Sequence, residues 1–322
     1  MQMNELTEPF GRLLASLCTS AAVREVEGGG SFGAMWEELA TSGFLDALVE
    51  ESVGGAGLDL ADVEPLFELI GFHAVPLPLS ETIVARALLA KAGITAPDGP
   101  IVLVTSLDQP VPCAMVASYA LVDTGEELIL AEMAGLDPKS IGNHHGLSAI
   151  IAKVPVADVS LPRPSDGLRP LAATVRAALI AGAAARLTEM STNYCNERVQ
   201  FGKPIGRQQS VQHMLAVMAE DMIACRIAAE IGLSKGLDMP IAVAATAKAT
   251  TSAAATRIAA SAHAVHGAIG ISEEYDLQLL TRRLHEWRLA DGSEGYWAAQ
   301  LGKQRLANSA SSIDWVRDHI FS

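Results

Sequence analysis

Apolar positions recur at three-and-four spacing over most of the chain and give way to short β-rich runs only in the middle. Trp36, Leu39, Ala40 and Phe44 lie at helical spacing, until Gly54-Gly55-Ala56-Gly57 breaks the pattern. A second helix is predicted over about 60–72, with Val63, Leu66, Phe67 and Ile70 on one face. Pro76 and Pro78 stop it, because two prolines so close remove backbone donors and clash with the preceding turn.

Between about Gly93 and Pro164 the texture changes. Pro97, Pro100, Pro110 and Pro112 punctuate runs at 101–105, 115–122, 127–131 and 149–154, with Asp123-Thr124-Gly125 as a hairpin turn. From about Leu168 the helical period returns. Val211, Leu215, Met218, Met222 and Cys225 make a stripe, and 241–265 is mostly Ala, Thr and Ser, a surface that lets helices approach closely. Four or five long helices in succession predict an antiparallel bundle. The expected chain is mainly α with a small β-domain, divided into an N-terminal helical domain (1–92), a reduced β-domain (93–166) and a C-terminal helical bundle (167–322).

Composition narrows the class. The 322 residues are 50% hydrophobic and 19% charged, a globular balance. The net charge of −14 argues against nucleic acid or an anionic membrane surface as partner, so any anionic ligand is held by local groups. No apolar run is expected to span a bilayer, which needs roughly 18 residues, and residues 1–8 do not read as a signal peptide. Cys18, Cys113, Cys195 and Cys225 lack CxxC spacing, so reduced thiols in a cytoplasmic protein are expected and a zinc site is not.

Three blocks carry candidate chemistry. In the first, Arg198, Phe201 and Gly202 precede Gln208 and Gln209 at the junction of two long helices. A guanidinium there forms a planar fork for a phosphate, and the next helix start adds free N–H groups and a positive dipole end. Taken alone, Arg198 reads first as a helix-end arginine paired with Glu197 or Glu220, and only the block as a whole points to a phosphate. The second block is His266-Gly267-Ala268-Ile269-Gly270, a helix terminus followed by a close backbone approach. By itself His266 reads as structural or as a base. The third, Ala290-Asp291-Gly292-Ser293-Glu294, is a turn with Ser293 as helix cap. Asp291 there is structural unless it projects into a pocket where burial makes it a base.

In order and spacing these blocks resemble the C-terminal helical domain of the acyl-CoA dehydrogenases. That family carries an Arg-x-x-Phe-Gly block, a Gln-rich helix start, a His-Gly-Gly-x-Gly-type block and a Glu-Gly-Thr turn. The segments 38–44 and 54–58 resemble its N-terminal helical domain. The likeness is strongest over about 170–310 and looser over 30–80. It implies a helical domain, a β-domain and a four-helix bundle that bind FAD and remove two hydrogens across the α,β bond of an acyl-CoA thioester. A carboxylate takes the α-proton while the flavin accepts the β-hydride.

On this resemblance Arg198 and Phe201 correspond to positions that meet the FAD pyrophosphate and adenosine of a neighbouring subunit. Gln208 and Gln209 correspond to the helix start that assists, and His266, Gly267 and Ala268 to the block contacting the same cofactor. Asp291 falls where one branch keeps its catalytic glutamate, and Ser293 where that branch keeps a threonine. The departures are as informative. The flavin-lining Thr-Glu-Pro-x-Ala-Gly-Ser-Asp segment has no counterpart, the middle domain is short, and no acid lies near 170–173, where the other branch keeps its base.

This combination resembles the short subunits of heterotetrameric acyl-CoA dehydrogenases of actinobacterial steroid side-chain degradation. The resemblance implies a full-length partner subunit that supplies the base and most of the flavin pocket, an acyl-CoA substrate such as a steroid side-chain thioester, and an electron-transfer flavoprotein as acceptor. The alternatives are a self-sufficient homotetrameric dehydrogenase with Asp291 as base, and a non-catalytic structural paralogue.

Overall fold

The computed structural model describes residues 3–141, 146–153 and 159–321. An N-terminal helical layer comprises α1 (Met3–Leu17), α2 (Ser20–Glu27), α3 (Gly33–Thr41), α4 (Leu60–Phe72) and α5 (Leu79–Lys91). The middle segment holds β1 (Ile101–Val104), β2 (Tyr119–Asp123), β3 (Glu127–Glu132), the short α6 (Met133–Leu136), β4 (Pro138–Ser140), β5 (Ala149–Ile151) and β6 (Val159–Pro162). The C-terminal half contains α7 (Leu168–Glu197), the strands β7 (Val199–Gln200) and β8 (Lys203–Pro204), then α8 (Gln209–Leu233) and α9 (Ile241–His266). Helices α10 (Leu277–Leu289), α11 (Glu294–Leu306) and α12 (Ser312–His319) follow. The fold is mainly helical with little sheet, as the apolar period predicts.

Helix α4 buries Val63, Leu66, Phe67 and Ile70 as their spacing requires. The helix expected through Phe44 stops at Thr41, because Gly43 takes a φ of 82° and turns the chain into a single 3-10 turn. The run at 115–122 is strand only from Tyr119, since residues 114–116 form another 3-10 turn. Of the run at 149–154, strand covers Ala149–Ile151, and Val154 lies outside the described residues.

The main sheet has the order β1-β2-β3-β6. Its β1–β2 pair is parallel, with Ile101 opposite Tyr119, which the long connection through residues 105–118 permits. The β2–β3 pair is the antiparallel hairpin around Thr124 and Gly125, with Asp123 opposite Leu128. Alternation along β1 divides the interior. Ile101 and Leu103 join the large core shared with the helices, whereas Val102 and Val104 join a smaller one with Val122, Met133 and Ile151. One face of the sheet is therefore fused to the helical body. Thr82 on α5 strengthens the seam: its Oγ accepts from the Ile101 N–H at 2.9 Å and donates to the Pro78 carbonyl at 2.7 Å.

The N-terminal layer crosses the bundle where two glycines meet backbone. A Cβ on Gly71 of α4 would lie 2.1 Å from the Leu179 carbonyl oxygen, and one on Gly182 of α7 would lie 1.8 Å from that of Glu68. Helix α7 is long and apolar enough to cross a membrane by length and composition, but 89% of its apolar window is buried inside the molecule. It is the central helix of the bundle, packed against α4, α8 and α9.

Candidate functional site

The C-terminal end of α7, the N-terminal end of α8 and the C-terminal end of α9 lie together at one end of the bundle. Cys195, Ile205, Val211 and Val265 form a small buried cluster that ties them. The chain leaves α7 at Arg198, makes the β7–β8 hairpin, and enters α8 at Gln208. Both loop residues of the hairpin have positive φ, 54° at Phe201 and 77° at Gly202, as a tight two-residue turn demands. Glycine meets that demand freely, whereas for phenylalanine it costs about 1–3 kcal/mol. The ring recovers none of it within the chain, because Phe201 is 92% exposed.

Arg198 is exposed and, among the described residues, forms no side-chain hydrogen bond or ion pair, so neither Glu197 nor Glu220 satisfies it. Its main chain closes the corner, accepting from the Ile205 N–H at 2.8 Å. Gln208 stands at the N-cap of α8 in extended conformation, without a side-chain capping bond. Gln209 opens the helix and is exposed. The first-turn N–H groups of a 25-residue helix therefore face outward beside Arg198, Lys203 and Arg207, all exposed. Hydrogen-bond donors and positive charge thus gather at this corner of an acidic chain.

The His266 block lies at the same end, but its parts divide. The imidazole is buried, stacked on Tyr194 at 4.5 Å between centroids and 5.3 Å from Tyr275. Its Nδ1 pairs with the Ala262 carbonyl at 2.8 Å, while Nε2 has no partner. Burial lowers its pKa from the usual 6.5 and keeps the ring neutral. Gly267 and Ala268 are exposed. Any contact with a ligand from outside therefore falls to these two residues and to the main chain. Ile269 and Ile271 beside them are also exposed, Ile271 at 81%.

Asp291 occupies a different environment. It is buried at the turn between α10 and α11 with φ 57°. Its Oδ1 accepts from Thr105 Oγ at 2.8 Å and its Oδ2 from Arg176 Nε at 3.2 Å. The indole N–H of Trp297 donates to its carbonyl oxygen at 3.1 Å. Arg176, also buried, donates through Nη1 to Glu81, whose other oxygen accepts from Ser80 at 2.7 Å. Burial opposes the charge on Arg176, but Glu81 and Asp291 on either side raise its pKa and keep it protonated. A carboxylate shared by an arginine and a hydroxyl is a joint between α5, β1, α7 and the α10–α11 turn. Ser293, as expected, caps α11 by accepting from the Tyr296 N–H.

Sequence reading missed Arg176, Glu81 and Tyr194. Arg176 was visible as a lone charge within the apolar run 170–184, and Glu81 as an acid in the first turn of α5. Their pairing across 95 positions was not legible.

The residues present fit a dinucleotide tail at the Arg198 corner and do not fit a catalytic flavin beside Asp291. The corner offers an unpaired guanidinium, free helix N–H groups and an exposed ring. At the turn the Asp291 carboxylate is already committed to Arg176 and Thr105.

Residues 171–306 match the family model for the acyl-CoA dehydrogenase C-terminal domain. The chain is 30% identical over 299 residues to the acyl-CoA dehydrogenase IpdE2 of Mycobacterium tuberculosis, an alignment that covers 87% of this chain and 90% of that one. In structure it is similar to the ChsE4-ChsE5 complex from Mycobacterium tuberculosis, with a TM-score of 0.80 at 19% identity, covering 96% of this chain and 98% of that one. A Tcur3481-Tcur3483 steroid ACAD variant gives a TM-score of 0.77 at 22% identity, covering 96% and 99%. Joined to the helical fold and the order of its blocks, these likenesses make the chain a member of the acyl-CoA dehydrogenase family.

Proposed function

We propose that this chain is the short subunit of a heteromeric, FAD-dependent acyl-CoA dehydrogenase that introduces an α,β double bond into an acyl-CoA thioester. Its substrate class is a bulky acyl-CoA, with a steroid side-chain thioester as the first candidate, in line with the Tcur3481-Tcur3483 steroid ACAD among its structural neighbours. The full-length partner subunit supplies the base and the pocket for the flavin ring. Arg198, Phe201, Gln208, Gln209, Gly267 and Ala268 grip the pyrophosphate and adenosine end of the cofactor from outside. FAD supplies acceptance of the two electrons released on desaturation, and an electron-transfer flavoprotein takes them onward.

The observation that carries this reading is the outward face of the corner: Phe201 stands 92% exposed beside an arginine that, among the described residues, no side chain neutralises. A ring held at unfavourable φ in solvent is a cost without return until another surface covers it. Self-sufficient catalysis by Asp291 requires its carboxylate to leave Arg176 and Thr105. Flavin retention by the complex carrying Arg198→Ala tests the proposal. Unchanged retention contradicts it and favours a non-catalytic paralogue.

A further inference from the structure

The C-terminal end of α10 is a cage of main-chain oxygens with a side-chain cation inside it. Lys248, from the N-terminal third of α9, is fully buried. Its Nζ donates to the carbonyl oxygens of Trp287 at 2.8 Å, Arg288 at 2.9 Å and Gly292 at 3.0 Å, and to Ser252 Oγ at 3.0 Å. Among the described residues no carboxylate pairs with it. The charges that face it are Asp291 on the turn, Arg176 on α7, Glu294 on α11 and Arg288 on α10. A helix terminus leaves its last carbonyls unsatisfied and carries a negative partial charge. An ammonium with three N–H groups answers both needs, and no neutral side chain does.

The turn it grips is a demanding one. Asp291 and Gly292 both have positive φ, 57° and 109°, and the chain must reverse between two helices within residues 290–293. Gly292 is hemmed in as well, since a Cβ there would lie 2.6 Å from the Tyr296 ring. Gly292 has no side chain to be held, and its carbonyl is held from α9.

We propose that Lys248 is the positioning residue of the 290–293 turn, a tethered cation that gathers the carbonyls on both sides of Asp291. Two consequences follow. Asp291 is kept on the interior side, against Arg176 and Thr105, and is withheld from solvent. Leu289, Ala290, Gly292 and Ser293 are fixed as one wall of a cavity of about 510 Å³, faced by Pro110 and Pro112 of the β1–β2 connection. The proposal rests on the acyl-CoA dehydrogenase reading only in taking this turn as the counterpart of the family's catalytic-acid turn. The grip itself stands on the geometry. Burial lowers the pKa of Lys248 to about 7, so the amine holds its proton less tightly with the turn closed than with it opened to water.

Hydrogen–deuterium exchange read by mass spectrometry tests this on the full chain, purified with whatever partner it carries. In Lys248→Met, which keeps the volume and removes the cation, peptides covering 286–297 are expected to exchange about tenfold faster or more, while those of α4 keep wild-type protection. In Lys248→Ala, propylammonium is expected to restore protection and n-propanol is not. Unchanged exchange in the Met variant, or equal rescue by both additives, overturns the proposal, because packing alone would then account for the site. If neither variant folds, the wild-type chain decides. Opening the turn returns Lys248 to water and its pKa toward 10.5, so, corrected for intrinsic rate, exchange in this segment is expected to slow as pH rises from about 7 to 9, and a flat profile overturns the proposal. None of these readings depends on flavin or turnover, so failure here is separable from failure of the functional proposal.

Discussion

Arg176 and Asp291 lie 115 positions apart and meet in the interior, Nε to Oδ2 at 3.2 Å, with Glu81 on the far side of the guanidinium. The pairing commits the Asp291 carboxylate to structure. Removing one partner from a buried ion pair costs about 3–5 kcal/mol, because the other charge stays behind without water. A shorter acid on this turn is thus a fastener between the α5–β1 seam and the bundle.

Asp291→Asn is therefore expected to lower stability by roughly 2–4 kcal/mol, leaving Arg176 with Glu81 alone. Chemical denaturation of the variant measures this. Turnover of the assembled complex, at a temperature where the variant is folded, is expected to change little. A folded variant whose kcat collapses assigns the base to Asp291.

Arg198→Ala is expected to weaken flavin retention by the complex about tenfold or more, since a charge-assisted contact to phosphate contributes about 1.5–3 kcal/mol. Phe201→Ala is expected to loosen subunit association with little effect on the fold of this chain, because its ring packs on nothing within it. Flavin absorbance after gel filtration reads the first and elution volume the second.

Gly182→Ala tests the crossing of α4 on α7. The added methyl meets the Glu68 carbonyl, a backbone atom that cannot rotate away. A loss of about 1–3 kcal/mol or more is expected from the forced separation of the helices. Thermal unfolding checks it, and a neutral result contradicts the close approach.

Glu64 and Glu68, one turn apart on α4, predict a pH effect. Among the described residues, their buried Oε1 atoms have no hydrogen-bond partner. Burial, then Glu68 and Glu230, raises the Glu64 pKa from 4.5 to about 8. Its folded value lies above the unfolded one, so this group's contribution is complete below 4.5 and is lost as pH rises through about 8. Between about pH 5.5 and 8.5 the melting temperature is expected to fall by several degrees, and by clearly less in Glu64→Gln.

How far the sequence spoke depended on the range of the interactions. Helix faces such as Val63–Ile70 are local periodicities, and burial follows them. The parallel β1–β2 pairing did not show, because Ile101 and Tyr119 are brought together by a crossover that leaves no local signature. At the corner, the Arg198 and His266 blocks were legible as motifs, and their joining at one end follows from the up-down course of α7, α8 and α9. Whether a side chain turns inward or outward was not legible. The buried ring of His266 and the interior pairing of Asp291 arise from Tyr194 and Arg176, residues distant in sequence. Lys248 was hidden in an alanine-rich helix whose composition speaks only of close packing.

The central claim, that this chain completes a cofactor site lying mainly in another, is tested most directly by co-expressing it with the product of an adjacent gene. The absorption spectrum and native mass of what copurifies give the answer together. The account predicts a yellow complex of both chains and a colourless or poorly folded product when this chain is made alone. A yellow, active assembly of this chain by itself contradicts it.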